Sequence, residues 1–100
     1  MTVVERVERI RVVAGEELDR CRSMLEGAGL TWSGPTLLVS EPDANEYTAE
    51  LKVQFYERDD LVDIFEFFVC KGGALTTSED EVRQWIRGNV PDVVRRRTQA

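Results

Sequence analysis

The sequence predicts an α+β fold: a two-layer sandwich with a long N-terminal helix packed on a three-stranded antiparallel meander, and helices again at the C-terminus. The predicted order is α-β-β-β-α-α. Three observations carry this. Apolar residues keep helical phase from residue 3 to 28, residues 47–56 alternate strictly, and a capping signal at Ser78 opens a last helical stretch. The 100 residues are one domain's worth, and no repeat, low-complexity tract or linker divides them, so 1–100 reads as a single domain.

The N-terminal element sets propensity against periodicity. Val3, Val4, Val7, Ile10, Val12 and Val13 are β-branched and by propensity suggest a strand. Yet at 100° per residue, Val3, Val7, Ile10, Ala14, Leu18, Cys21, Leu25 and Ala28 all fall within an arc of about 80°. The opposite face holds Glu5, Glu8, Arg9, Glu16, Asp19, Arg20, Ser23 and Glu26, with Glu5/Arg9 and Glu16/Arg20 at supporting i,i+4 spacing. The phase predicts a helix over residues 2–28, with Gly15 as its weak point and Gly27 and Gly29 at its end. The alternative is a strand over 2–13 followed by a helix from 15.

Leu30 to Pro35 reads as a connection, Thr36 to Ser40 as a short strand, and Glu41 to Asn45 as a turn. Tyr47, Ala49, Leu51, Val53 and Phe55 then alternate with Thr48, Glu50, Lys52, Gln54 and Tyr56, the pattern of a half-buried strand. Glu57 to Asp60 forms a turn into a second hairpin strand, Leu61 to Lys71, which Gly72-Gly73 stops. A helix over 2–28 would run about 39 Å, and an 11-residue strand about 37 Å. One helix can therefore cover the hairpin end to end. Ser78 and Glu81 form a capping box ahead of Val82, Trp85 and Ile86. Gly88 is expected to end that helix, and Pro91 to open a short further one.

Composition excludes several chemistries. The chain has no histidine, so it has no His-based general base, no Ser-His-Asp or Cys-His pair and no His-containing metal site. Two cysteines cannot build a four-Cys zinc site. A net charge of −6 argues against nucleic-acid binding, which relies on cations neutralising phosphate. No export-signal core or membrane-length apolar run is present, so a cytoplasmic protein with reduced Cys21 and Cys70 is expected. No cofactor or metal site is expected. The charge is local: residues 31–71 hold 9 acidic and 3 basic side chains, a net −6 equal to that of the whole chain.

The same segment carries an apolar surplus. Along 61–71 both alternating sets are mostly apolar, so one must face away from the long helix. With a hairpin loop of two or four residues, Val62, Ile64, Phe68 and Cys70 turn to the core, and Leu61, Phe65, Phe67 and Val69 stand outside. A loop one residue longer or shorter swaps the sets. The outer strip could be covered by the C-terminal helix, by a second copy, or by a hetero-partner or apolar ligand. Together with Tyr56 and the acidic turn residues Asp59, Asp60 and Asp63, it is the candidate partner surface: Leu61, Phe65, Phe67, Val69, Tyr56, Asp59, Asp60, Asp63. A second candidate is an apolar pocket lined by Trp32, Tyr47 and Phe68. Glu66 and Asp63 are carboxylates in an apolar strand, but no nucleophile or oxyanion donor can be set beside either.

In element order and acidic charge the chain resembles small secretion chaperones and toxin-immunity proteins, a resemblance of fold and charge that implies a partner-binding role. The expected function is therefore a non-enzymatic protein-interaction module, immunity-, chaperone- or adaptor-like. It would act as a homodimer through the apolar sheet face and acidic hairpin. A small-molecule binder with an apolar pocket between helix and sheet is the alternative.

Overall fold

The computed structural model describes residues 1–41 and 46–98. The expected turn at 41–45 falls, from Pro42 to Asn45, outside them. The architecture is α+β: helices α1 (Val3–Arg20) and α2 (Arg22–Gly27), strands β1 (Leu30–Ser40), β2 (Thr48–Glu57), β3 (Asp60–Lys71) and β4 (Ala74–Leu75), then helix α3 (Glu79–Thr98). The strands form one antiparallel sheet in the order β1-β2-β3-β4, four strands where three were expected, the fourth a two-residue edge. None of the described helices is long and apolar enough to cross a membrane.

Periodicity outweighs β propensity at the N-terminus. Thr2 caps α1, its hydroxyl accepting the Glu5 amide at 3.1 Å. Val7, Ile10, Ala14, Leu18 and Leu25 are buried in the core, as their shared phase requires. The helix breaks at Cys21 rather than at Gly15. Gly15 stays helical and lies beside Pro35 of β1, where a β-carbon would make ordinary contact with the proline ring at 3.6 Å.

The segment Leu30–Pro35 is strand, not connection. Leu30, Thr31, Trp32 and Ser33 pair with Glu57, Tyr56, Phe55 and Gln54, so the whole length of β2 is used. Pro35 has no amide to donate, and the pairing shifts between Ser33 and Thr36. Gly34, at φ 97°, permits this: a β-carbon there would lie 2.7 Å from the Lys52 carbonyl oxygen.

The hairpin loop has two residues, with Arg58 in the left-handed region at φ 58°. Tyr56 pairs with Leu61, but Phe55 pairs with Asp63, leaving Val62 as an extra residue on β3. This bulge reverses every side chain beyond it. Without it Leu51 would face Glu66, burying an unpaired carboxylate at a cost of several kcal/mol. With it, Val53 faces Phe65, Leu51 faces Phe67, and Glu66 stands opposite Lys52. A second bulge leaves Val69 extra between Cys70 and Phe68, and both Val69 and Cys70 are fully buried. The inner set is therefore Phe65, Phe67, Val69 and Cys70, the reverse of the two-residue-loop expectation for all but Cys70.

Helix α3 is a single element running through Gly88 and Pro91, not two short helices. Its Val82, Ile86, Val90 and Val93 form one buried stripe. A proline inside a helix costs about 3 kcal/mol. Burying valine side chains such as Val90 and Val93 contributes about 1.5–3 kcal/mol each, enough to carry the helix past it. Ser78 caps the helix as expected, its Oγ accepting the Glu81 amide at 3.2 Å. Ion pairs Arg9–Glu79, Glu16–Arg83 and Glu17–Arg87 ascend together, so α1 and α3 lie side by side and parallel on the inner face of the sheet. Replacing Pro91 by alanine restores the missing helical hydrogen bond in this packed frame. Pro91→Ala is expected to raise stability by about 1–2 kcal/mol, and the thermal midpoint by roughly 5–15 °C, in a calorimetric melt.

Candidate functional site

The eight residues of the expected partner surface divide among three places. Phe65 and Val69 are buried in the core. Phe65 makes edge contacts, with ring centroids 4.7 Å apart, to Phe55 on one side and Trp85 of α3 on the other. Phe67 is half-buried and lies 4.7 Å from the same indole. These three face the helices, a correction that follows from the Val62 bulge. Leu61 and Tyr56, paired across the hairpin, remain on the outer face, where Leu61 is 48% exposed. Asp63 lies on the inner side at the sheet's rim, opposite Phe55, and pairs with Arg96. Arg97 approaches Glu57 at 3.6 Å, so the last turn of α3 neutralises part of the acidic turn. Asp59 and Asp60 are left exposed at its tip.

The outer face is built instead by the alternate residues of β1, β2 and β3. In register they form rows: Leu38–Glu50–Phe68, Thr36–Lys52–Glu66, Ser33–Gln54–Ile64 and Thr31–Tyr56–Leu61. Leu38 is 46% exposed, Ile64 40% and Phe68 38%. The Lys71 ammonium sits 4.1 Å from the centre of the Phe68 ring, a cation–π contact that covers part of it. The described helices lie on the other face, so this one carries four exposed apolar side chains set among polar ones.

Two carboxylates are neighbours on that face. Glu50 shares a hydrogen bond with Glu66, and this, chiefly, pushes the Glu50 carboxyl above its ordinary range; the nearby Lys71 opposes the shift. Among the described residues no group of three or more Cys, Asp or Glu side chains could hold a metal ion. Burial raises the thiols of both Cys21 and Cys70, neither of which is bridged. That is the opposite of the activation a nucleophilic thiolate requires.

Trp32, Tyr47 and Phe68 do not form one pocket. Trp32 lies opposite Phe55 at one end of β2, under the Arg22 guanidinium at 4.7 Å. Tyr47 is buried at the other end, and its carbonyl accepts from the Cys70 thiol at 3.4 Å. Phe68 points away on the outer face. The reason is again the register: a pocket between helix and sheet needs inward side chains, and Phe68 is not one. A cleft of about 460 Å³ lies elsewhere, between β3 and the start of α3, lined by Phe67, Thr77, Glu81, Val82, Gln84 and Trp85. Sequence reasoning missed this cleft and the outer trio of Leu38, Ile64 and Phe68. Ile64 and Phe68 are visible as the second apolar set of 61–71, but only the bulge assigns them outward.

A carboxyl whose folded value is raised binds its proton more readily in the folded protein, so Glu50 favours folding as pH falls through that value and opposes it as pH rises. The outer face thus sheds a negative charge at a higher pH than an isolated glutamate would. In a carboxyl-carbon NMR titration, Glu50 is expected to titrate above the ordinary glutamate range. Glu66→Gln, which removes the like charge and can donate to Glu50, should bring it back down. Comparison with protein-family models matches none, and comparisons with curated proteins and with solved structures find no similar chain.

Proposed function

We propose that this protein is a non-enzymatic interaction module of the cytoplasm, acting on a protein partner through the outer face of its sheet. The observation that carries the reading is the set of exposed apolar residues Leu38 on β1 and Leu61, Ile64 and Phe68 on β3, all on the face that no described helix covers. Scattered exposed apolar residues are ordinary, but four gathered on one uncovered sheet face have the composition of an interface centre. Lys52, Glu50 and Glu66 supply polar contacts around it. Asp59 and Asp60, at the hairpin tip, supply the field that steers a basic partner. The reading involves no catalysis: the chain has no histidine to act as a general base, and burial raises both thiols.

The test is capture of partners by the wild-type chain and by Ile64→Lys and Phe68→Lys, followed by binding measurements on a purified partner. Both positions are exposed, so both variants should keep the parent fold by circular dichroism. Each should weaken the partner's Kd at least tenfold, equivalent to about 1.4 kcal/mol. Asp59→Asn and Asp60→Asn should slow association and flatten its dependence on salt. A partner bound equally well by both lysine variants would overturn the reading.

A second reading has its own observation. The cleft beside Trp85, whose indole is 38% exposed against Phe67 and Val82, has the size and the aromatic wall of a small apolar ligand site. A ligand held there should raise the melting temperature of the wild type and not that of Gln84→Trp, which fills the cleft mouth.

A further inference from the structure

We propose that β1 is a dimerisation edge: two copies of the chain pair antiparallel through residues 36–40, joining their sheets into one of eight strands. This rests on other observations than the outer-face reading, those of the sheet's rim, although Leu38 belongs to both. The observation behind it is the composition of the edge. β1 spans eleven residues, Leu30–Ser40, and none is charged, in a chain where 32% of residues are. Native edge strands are ordinarily blunted by charge, shortness or a bulge, because an unpaired row of amides and carbonyls recruits other strands. At the opposite edge β4 pairs only with Cys70 and Lys71, and the rest of β3 carries the charges of Asp60, Asp63 and Glu66. β1 is protected in its first half alone, where Gly34 and Pro35 interrupt the pairing and α2 lies against the start of the strand. Thr36 to Ser40 is regular, and among the described residues nothing pairs with its free side.

What fits this edge is the edge itself. Thr36, Leu38 and Ser40 lie on the outer side, opposite Lys52, Glu50 and Thr48, while Leu37 and Val39 lie on the inner side, opposite Leu51 and Ala49. An antiparallel second copy centred on Leu38 faces Leu38 with its own counterpart. It sets Leu37 against Val39 of the second copy and Thr36 against Ser40 of the second copy. Apolar meets apolar and hydroxyl meets hydroxyl on both sides of the sheet, which an arbitrary foreign strand has no reason to match. Val39 is 49% exposed and Leu38 46%, and each gains a neighbour in this arrangement.

Charge permits the seam despite the net −6 of each copy. Among the described residues, the carboxylates set directly across the seam in register are the two Glu50 side chains, with β1 and its copy between them. At a strand spacing of about 4.8 Å they stand roughly 14 Å apart, beyond the screening length of about 8 Å at physiological salt. Stacking two outer faces would instead bring together two Glu50–Glu66 pairs, in each of which Glu50 is already displaced by its neighbour.

The seam is short, so the expected dimer is of micromolar affinity, with sedimentation velocity showing monomer at about 1 µM and dimer at about 200 µM. Leu38→Lys sets two ammonium groups face to face and should leave a folded monomer across that range. Leu38→Cys, in a Cys21→Ser background, should yield a disulfide-linked dimer on mild oxidation, because paired Cα atoms about 4.5–5.5 Å apart lie within disulfide reach. Thr36→Cys in the same background should not, since it faces Ser40 of the second copy. A wild type that stays monomeric at the highest concentration overturns the proposal. So does a dimer that survives Leu38→Lys, or one dissolved by Phe68→Lys in its stead, which would seat the second copy on the outer face.

Discussion

The rest of the structure depends on where β3 spends its two extra residues. A strand that pairs regularly with β2 from Leu61 onward would present Glu66 to Leu51 and turn Phe65 and Phe67 to water. The bulge at Val62 exchanges that arrangement for one in which the phenylalanines meet the helices and Glu66 faces Lys52. The cost of one irregular pairing is small beside that of an uncompensated buried carboxylate. The bulge at Val69 then lets two consecutive residues, Val69 and Cys70, both be buried where strict alternation would expose one. Placement of Trp85, the rim position of Asp63 and the identity of the outer face all follow from these two steps.

Much of the architecture was legible because it depends on local pattern. The eight in-phase residues from Val3 to Ala28 outweighed the β-branched composition of 3–13, and five of them form part of the core. The alternation from Tyr47 to Tyr56 identified β2 and its buried face correctly, and the Ser78–Glu81 capping box marked the start of α3 within a residue. What was hidden depends on tertiary balance. Nothing in Leu61–Lys71 marks Val62 or Val69 as the residue to be skipped. That choice is made by Leu51, Val53 and Lys52 across the hairpin. Pro91 reads locally as a helix start, and only the stripe that includes Val90 and Val93 shows why the helix runs through it. The candidate surface was legible as a segment, 31–71, but not side chain by side chain.

Electrostatics divides the acidic middle of the chain in a similar way. Asp63 and Glu57 look in sequence like members of an undivided acidic turn with Asp59 and Asp60. In the fold they are held by Arg96 and Arg97, so the basic tail and half of the turn cancel. Among the described residues, the acids of this segment that remain are the two aspartates at the tip, Glu50 and Glu66 on the outer face, and Glu41 and Glu46 at the other end. The charge that a partner meets is smaller, and more sharply located, than the count of side chains implies.

The dependence of β3 on α3 also orders events in time. Phe65 and Phe67 precede their cover, Trp85, by about twenty residues of chain, and Asp63 precedes its counterion, Arg96, by 33. A chain made from its N-terminus can zip β1, β2 and β3 into a meander while this aromatic row is still bare. Only when the final helix has emerged and docked beside α1 is the inner layer sealed. The last turn of that helix, which clamps the hairpin, is made 33 residues after Asp63, so the seal on the inner layer comes well after the meander it covers.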